Sequence, residues 1–212
     1  MLTVATATTA SPPFPNPTSS PNPTSDPSLA TTTVPVGAEP RAVASIAGLI
    51  TDVGSATYDA GAQPADVIEP VLLSIPGIGV ENASVVPVGV LPDGRFEVPE
   101  ARMVGWYRFG PAPADDGVTV LAAHLNYDGV NGVFRRLTDV DIDDQVTVTT
   151  ADGQTRTYRV TERRVIDKNQ LPPDEIWARS GAPRLVLITC GGRYDAERRS
   201  YDDNVVVFAV PI

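Results

Sequence analysis

From Val71 onward the chain consists of short runs rich in β-branched residues, each broken off by proline, glycine or an Asp-Gly pair. Gln145-Val146-Thr147-Val148-Thr149 and Thr155-Arg156-Thr157-Tyr158-Arg159-Val160 flank Ala151-Asp152-Gly153 and alternate apolar with polar at period two. Successive side chains of a strand point to opposite faces, so this alternation predicts a half-exposed hairpin. Asp-Gly supplies the positive φ that a tight hairpin turn needs, and Pro92-Asp93-Gly94 is a second turn of this kind. Further runs lie at Val85–Val90, Val118–Ala123, Val165–Ile166, Leu185–Thr189 and Asn204–Val210. Many short strands joined by turns can remove their edges by closing on themselves. The expected fold is therefore mainly all-β, a closed or nearly closed β-barrel. Pro172-Pro173-Asp174-Glu175-Ile176-Trp177 has proline where the first helical N–H groups lack partners, which predicts a short helix.

Ahead of this domain the composition changes. Thr3 to Pro40 is dominated by Pro, Thr, Ser and Ala, with Asp26 and Glu39 its only charges, and it repeats Asn-Pro-Thr-Ser at Asn16–Ser19 and Asn22–Ser25. Such a stretch buries too little apolar surface to offset the entropy of ordering it. Residues 1–60 are expected to be a disordered linker or stalk, with a short helix near 43–50 as its one candidate element. Residues 61–212 are expected to form the β-domain. Met1 to Ala7 has no basic region of the kind that opens an intact signal peptide. No run approaches the ~20 apolar residues of a membrane span. The net charge of −10 argues against nucleic acid and against electrostatic attachment to a membrane, both of which favour basic surfaces.

Two residues occur once each. Cys190 closes the run Arg184-Leu185-Val186-Leu187-Ile188-Thr189-Cys190, which is expected to stop at Gly191-Gly192, and His124 closes Val118-Thr119-Val120-Leu121-Ala122-Ala123-His124. A free cysteine is more often an inert small hydrophobe than a nucleophile. Two glycines beside the sulfur, however, serve no evident need of a core residue. If the two run ends adjoin, a thiol and an imidazole make a nucleophile and its proton-transfer partner. Asn126 and Asp128 are candidates to hold the imidazole, and neither is fixed by the sequence.

At these residues the chain resembles the sortases. Leu187-Ile188-Thr189-Cys190 is similar to the Cys end of their T-L-x-T-C signature, with Val186 where the first Thr usually stands. Ala122-Ala123-His124-Leu125-Asn126 resembles the family's histidine segment. Ile75-Pro76-Gly77-Ile78-Gly79-Val80, Val104-Gly105-Trp106-Tyr107 and Gly132-Val133-Phe134-Arg135-Arg136-Leu137 agree in order and spacing. Cys190-Gly191-Gly192, followed by Tyr201 to Val207, is most similar to the class F sortases of actinobacteria. The likeness runs from near Glu69 to Ile212.

The resemblance implies an eight-stranded barrel and a cysteine transpeptidase. Such an enzyme cleaves an L-P-x-T-G-like sorting signal through a thioacyl on Cys190 and transfers the protein to a peptidoglycan-precursor amine. It implies a location outside the cytoplasm, in the cell envelope, with membrane association only through an upstream segment. It also implies an arginine that stabilises the oxyanion. The position ahead of Asp203-Asn204, where that arginine is expected, holds Asp202. Arg193, Arg198 and Arg199 are the candidates, and Arg199 is favoured because it lies nearest the strand returning from Cys190. Arg184 should sit at the far end of the Cys strand.

No cofactor or metal is expected. Asp139, Asp141, Asp143 and Asp144 lack the spacing of a dedicated calcium loop and read as a solvated acidic turn, and without a Cys/His cluster zinc has no ligands. Trp106 and Trp177 read as core or groove-lining. Two other readings remain open on sequence: an L,D-transpeptidase, whose nucleophile motif Thr189-Cys190-Gly191-Gly192 does not match, and a non-catalytic cell-surface binding module.

Overall fold

The structure, a computed structural model, describes residues 67–92, 94–197 and 200–212. The expected linker over 1–60, its short helix, the turn residue Asp93 and both Arg198 and Arg199 lie outside the described residues.

Eight strands close a barrel: β1 (Pro70–Ile75), β2 (Val80–Val88), β3 (Val104–Tyr107), β4 (Val118–Ala122), β7 (Gln145–Thr150), β8 (Thr155–Asp167), β9 (Arg184–Asp195) and β10 (Ser200–Pro211). Their order around the barrel is β1-β2-β3-β4-β9-β10-β8-β7, with β7 pairing back onto β1. The pairs β2–β3 and β4–β9 are parallel and the rest antiparallel. A separate two-residue hairpin, β5 (Asn126–Tyr127) with β6 (Val130–Asn131), follows β4. The helix α1 spans Pro173–Ile176, with proline in its first turn as the sequence predicts.

The lumen is filled by alternate residues from every barrel strand, among them Leu73, Val85, Trp106, Leu121, Val148, Tyr158, Leu187 and Val207. The opposite faces of β4, β9 and β10 are also covered. Val120, Ala122, Val186, Ile188, Val206 and Phe208 pack there with Phe96, Val98, Tyr107 and Ile176 of α1. Strands buried on both faces read as unbroken apolar runs, which is why β4 and β9 show no alternation in the sequence. Trp106 belongs to the lumen, and Trp177 lies on the outer cluster, edge-on to Tyr107 with ring centroids 5.1 Å apart.

One expectation fails. β9 does not stop at Gly191-Gly192 but runs on to Asp195, forming a hairpin with β10. The register slips by one residue between the pairs Tyr201↔Tyr194 and Asp203↔Gly191, so β9 carries an extra residue there. Gly192 makes that bulge with φ of +74°, and a Cβ on it would overlap the Asp203 carboxylate. The glycines bend the strand rather than end it.

Candidate active site

β4 and β9 run side by side in the same direction, in register from Val118↔Arg184 to Ala122↔Ile188. The alignment persists beyond the end of β4, because the Ala123 amide donates to the Ile188 carbonyl and the Thr189 hydroxyl donates to the Ala123 carbonyl at 2.8 Å. Two residues further on, the same register sets His124 beside Cys190. Ala122 and Ile188 both face the outer cluster, Ala123 faces the lumen, and the alternation returns His124 to the side of Cys190. Both residues are almost fully covered, at 4% and 5% exposure.

That burial sets the charge state. Desolvation pushes the Cys190 thiol up to about 11 and lowers the His124 imidazole to about 4. At neutral pH the site rests as thiol and neutral imidazole. An ion pair forms there only when something else in the pocket stabilises it.

Two contacts hold the imidazole. It hydrogen-bonds the Pro99 carbonyl, and its ring lies 4.7 Å from that of Tyr127 at a tilt of 31°. The His124 backbone is fixed as well: Gly132 packs against it so closely that a Cβ would overlap the His124 carbonyl, and the Phe134 amide donates to that carbonyl at 3.1 Å. Neither sequence candidate for orienting the ring occupies that place. The Asn126 amide instead donates to the Tyr201 hydroxyl at 2.8 Å, which ties β5 to β10, and Asp128 forms the left-handed tip of the β5–β6 turn with φ of +48°. Pro99 lies in a loop with no pattern of its own, so no sequence signal could have singled it out.

Arg193 extends into solvent, its side chain 87% exposed, and pairs with Asp202 at 3.4 Å. The aspartate standing where an arginine is expected is thus itself held by an arginine. Arg199 and Arg198 are outside the described residues. Arg184 pairs with Val118 at the start of β9, six residues of strand before the thiol, as the sequence implies.

The acidic residues serve locally. Asp139 pairs with Arg136 at 2.9 Å and Asp143 with Arg159 at 2.8 Å, while Asp144 accepts from the Asp141 amide.

Sequence reasoning missed Lys168. It follows β8, is only 8% exposed, and donates from Nζ to Ser200 Oγ at 2.9 Å. Its charge acts on Cys190, Asp202 and Asp203. A signal was present, since Lys168 is the chain's only lysine, as Cys190 is its only cysteine and His124 its only histidine.

The Sortase domain model matches residues 73–212. Among solved structures, the chain is similar to a sortase D5 transpeptidase of Clostridium perfringens at 22% identity and a TM-score of 0.50, covering 69% of this chain and 79% of that one. It is similar to sortase C1 of Streptococcus suis at 21% identity and a TM-score of 0.52, covering 68% and 73%. A third likeness is to sortase A of Corynebacterium diphtheriae at 21% identity and a TM-score of 0.51, covering 69% and 61%. No curated protein sequence matches.

Proposed function

The chain belongs to the sortase family of cysteine transpeptidases, and we propose that Cys190 is its nucleophile and His124 its proton carrier. The observation that supports this is the parallel β4–β9 register, continued past β4 by the Thr189–Ala123 bond, which carries His124 alongside Cys190. The family match decides among the three readings left open by the sequence, in favour of the transpeptidase.

The chemistry follows from the pair. His124 takes the thiol proton, and the Cys190 sulfur attacks the carbonyl of the threonine in a Leu-Pro-x-Thr-Gly-like signal. The oxyanion collapses, the Thr–Gly bond breaks, and His124 returns the proton to the departing glycine amine. An acceptor amine then attacks the thioester and passes its proton through His124 to the leaving sulfur. Burial of the sulfur favours this second step by keeping bulk water from the thioester.

The reading extends to substrates and place. The donors are proteins bearing an LPxTG-like signal, the acceptor is a peptidoglycan-precursor amine, and the enzyme works outside the cytoplasm in the cell envelope. No helix among the described residues is long and apolar enough to cross a membrane. Cys190-Gly191-Gly192 and Tyr201 to Val207 support placement in class F, and the acidic position 202 departs from its pattern.

Intact mass after incubation with a sorting-signal peptide tests the assignment. The expected result is one acyl adduct on the wild type and none on Cys190→Ala. An adduct that survives that substitution would sink it.

A further inference from the structure

The strand order around the site is β4-β9-β10-β8. His124 approaches Cys190 from β4, one strand to one side. On the other side, Asp203 of β10 pairs with both Gly191 of β9 and Asp167 of β8. Lys168 is the residue after Asp167, so its backbone lies two strands from the cysteine. Adjacent strands are about 4.8 Å apart, and a separation of two strands is within reach of the flexible four-carbon stem of lysine.

We propose that Lys168 is the cation of this site: its buried ammonium, anchored by Ser200 on the side of Cys190 away from His124, stabilises the thiolate form of the nucleophile. The proposal rests on Cys190 being the nucleophile and adds a positioning residue to that reading.

Three observations support it. A lysine is rarely buried without a charged or polar partner, and this one has Ser200 Oγ at 2.9 Å together with the negative groups Asp202 and Asp203 and the thiol. Burial lowers the lysine's own affinity for its proton, while the same three acidic groups raise it and so favour the charged form. Burial likewise raises the thiol, and the one charge opposing that rise is Lys168. The groups of the site can be named: His124 beyond the end of β4 and Lys168 after β8 on either side of the sulfur, Tyr201 in the same apolar cluster, and Asp202 and Asp203 of β10 acting on the lysine. Asp202 and Asp203 hold the lysine in its charged form, and Arg193 is engaged at the surface with Asp202. When the proton passes from Cys190 Sγ to His124, negative charge appears on sulfur between two cations, which is more favourable than charge beside one.

The alkylation rate of Cys190 by iodoacetamide, followed against pH by intact mass on the full chain, reads the thiol directly because no other cysteine exists. Lys168→Met is expected to move the midpoint upward by about one pH unit, a tenfold loss of thiolate at fixed pH. Lys168→Arg should remain close to the wild type. Ser200→Ala, which keeps the lysine but removes its anchor, should shift the midpoint the same way by less. An unmoved midpoint in folded Lys168→Met overturns the proposal, as does an equal shift in Lys168→Arg. Should Lys168→Met fail to fold, an unmoved midpoint in Ser200→Ala overturns it. The readout does not depend on turnover. Transpeptidation surviving in Cys190→Ala would therefore remove the nucleophile assignment, whereas an unmoved midpoint removes only the role of the lysine.

Discussion

Thr189 donates its hydroxyl to the carbonyl of Ala123 at 2.8 Å, joining the residue before the candidate nucleophile to the residue before the candidate imidazole. Both are fully buried, so the bond is shielded from water and spans 66 residues of sequence. It fixes how far the two side chains stand from one another.

Thr189→Val keeps the shape and removes the donor. Losing a buried hydrogen bond costs about 1–3 kcal/mol, and small misplacements of reacting groups cost up to ~10²-fold in rate. Thermal melts should show a modest fall in stability. Steady-state kinetics should show a ten- to hundredfold fall in kcat with KM little changed, as order-of-magnitude expectations. Unchanged kcat would mean that the register is held by the strands alone.

The two shifted groups make stability depend on pH in opposite directions. His124 has an ordinary value of 6.5 and a folded value of about 4. As pH falls through that interval the unfolded chain binds the proton first, so stability is lost on the acid side by about 3 kcal/mol. Cys190 rises from 9.0 to about 11. As pH climbs through that interval the unfolded chain releases its proton first, so stability falls on the alkaline side by a similar ~3 kcal/mol. Urea unfolding across pH should show His124→Gln flattening only the acid limb and Cys190→Ala only the alkaline limb. If either variant leaves its limb unchanged, burial is not what sets that group's proton affinity.

An oxyanion needs a fixed donor at about 3 Å, and removing one costs ~10²–10³ in rate. Arg199→Ala is expected to slow acylation by that order in single-turnover assays, with little effect on melting. Arg193→Ala should cost far less, because its side chain is solvated and paired with Asp202. A large effect at Arg193 or Arg198 would transfer the role, and no effect at all three would leave it to backbone amides.

The barrel was legible because its hairpins carry period-two alternation and Asp-Gly turns, as at Gln145–Thr150 and Thr155–Asp167. The candidate Cys/His pair came from two singular residues at the ends of apolar runs, and the β4–β9 register carries both along one direction of the wall. What escaped depends on pairing rather than on local chemistry. Gly191 and Gly192 look like a strand end locally, and only their partner strand makes them a bulge. Pro99 and Lys168 reach the site from a loop and from beyond a neighbouring strand, which no spacing along the chain encodes.

β10 follows the other seven barrel strands in sequence yet lies inside the barrel wall, between β9 and β8. A polypeptide that emerges amino end first therefore has its histidine strand well before β9 and β10, which together bring the cysteine and the wall beside it. The wall beside the sulfur is therefore completed only when β10 docks, and any substitution that loosens β10 from β9 loosens the site as well.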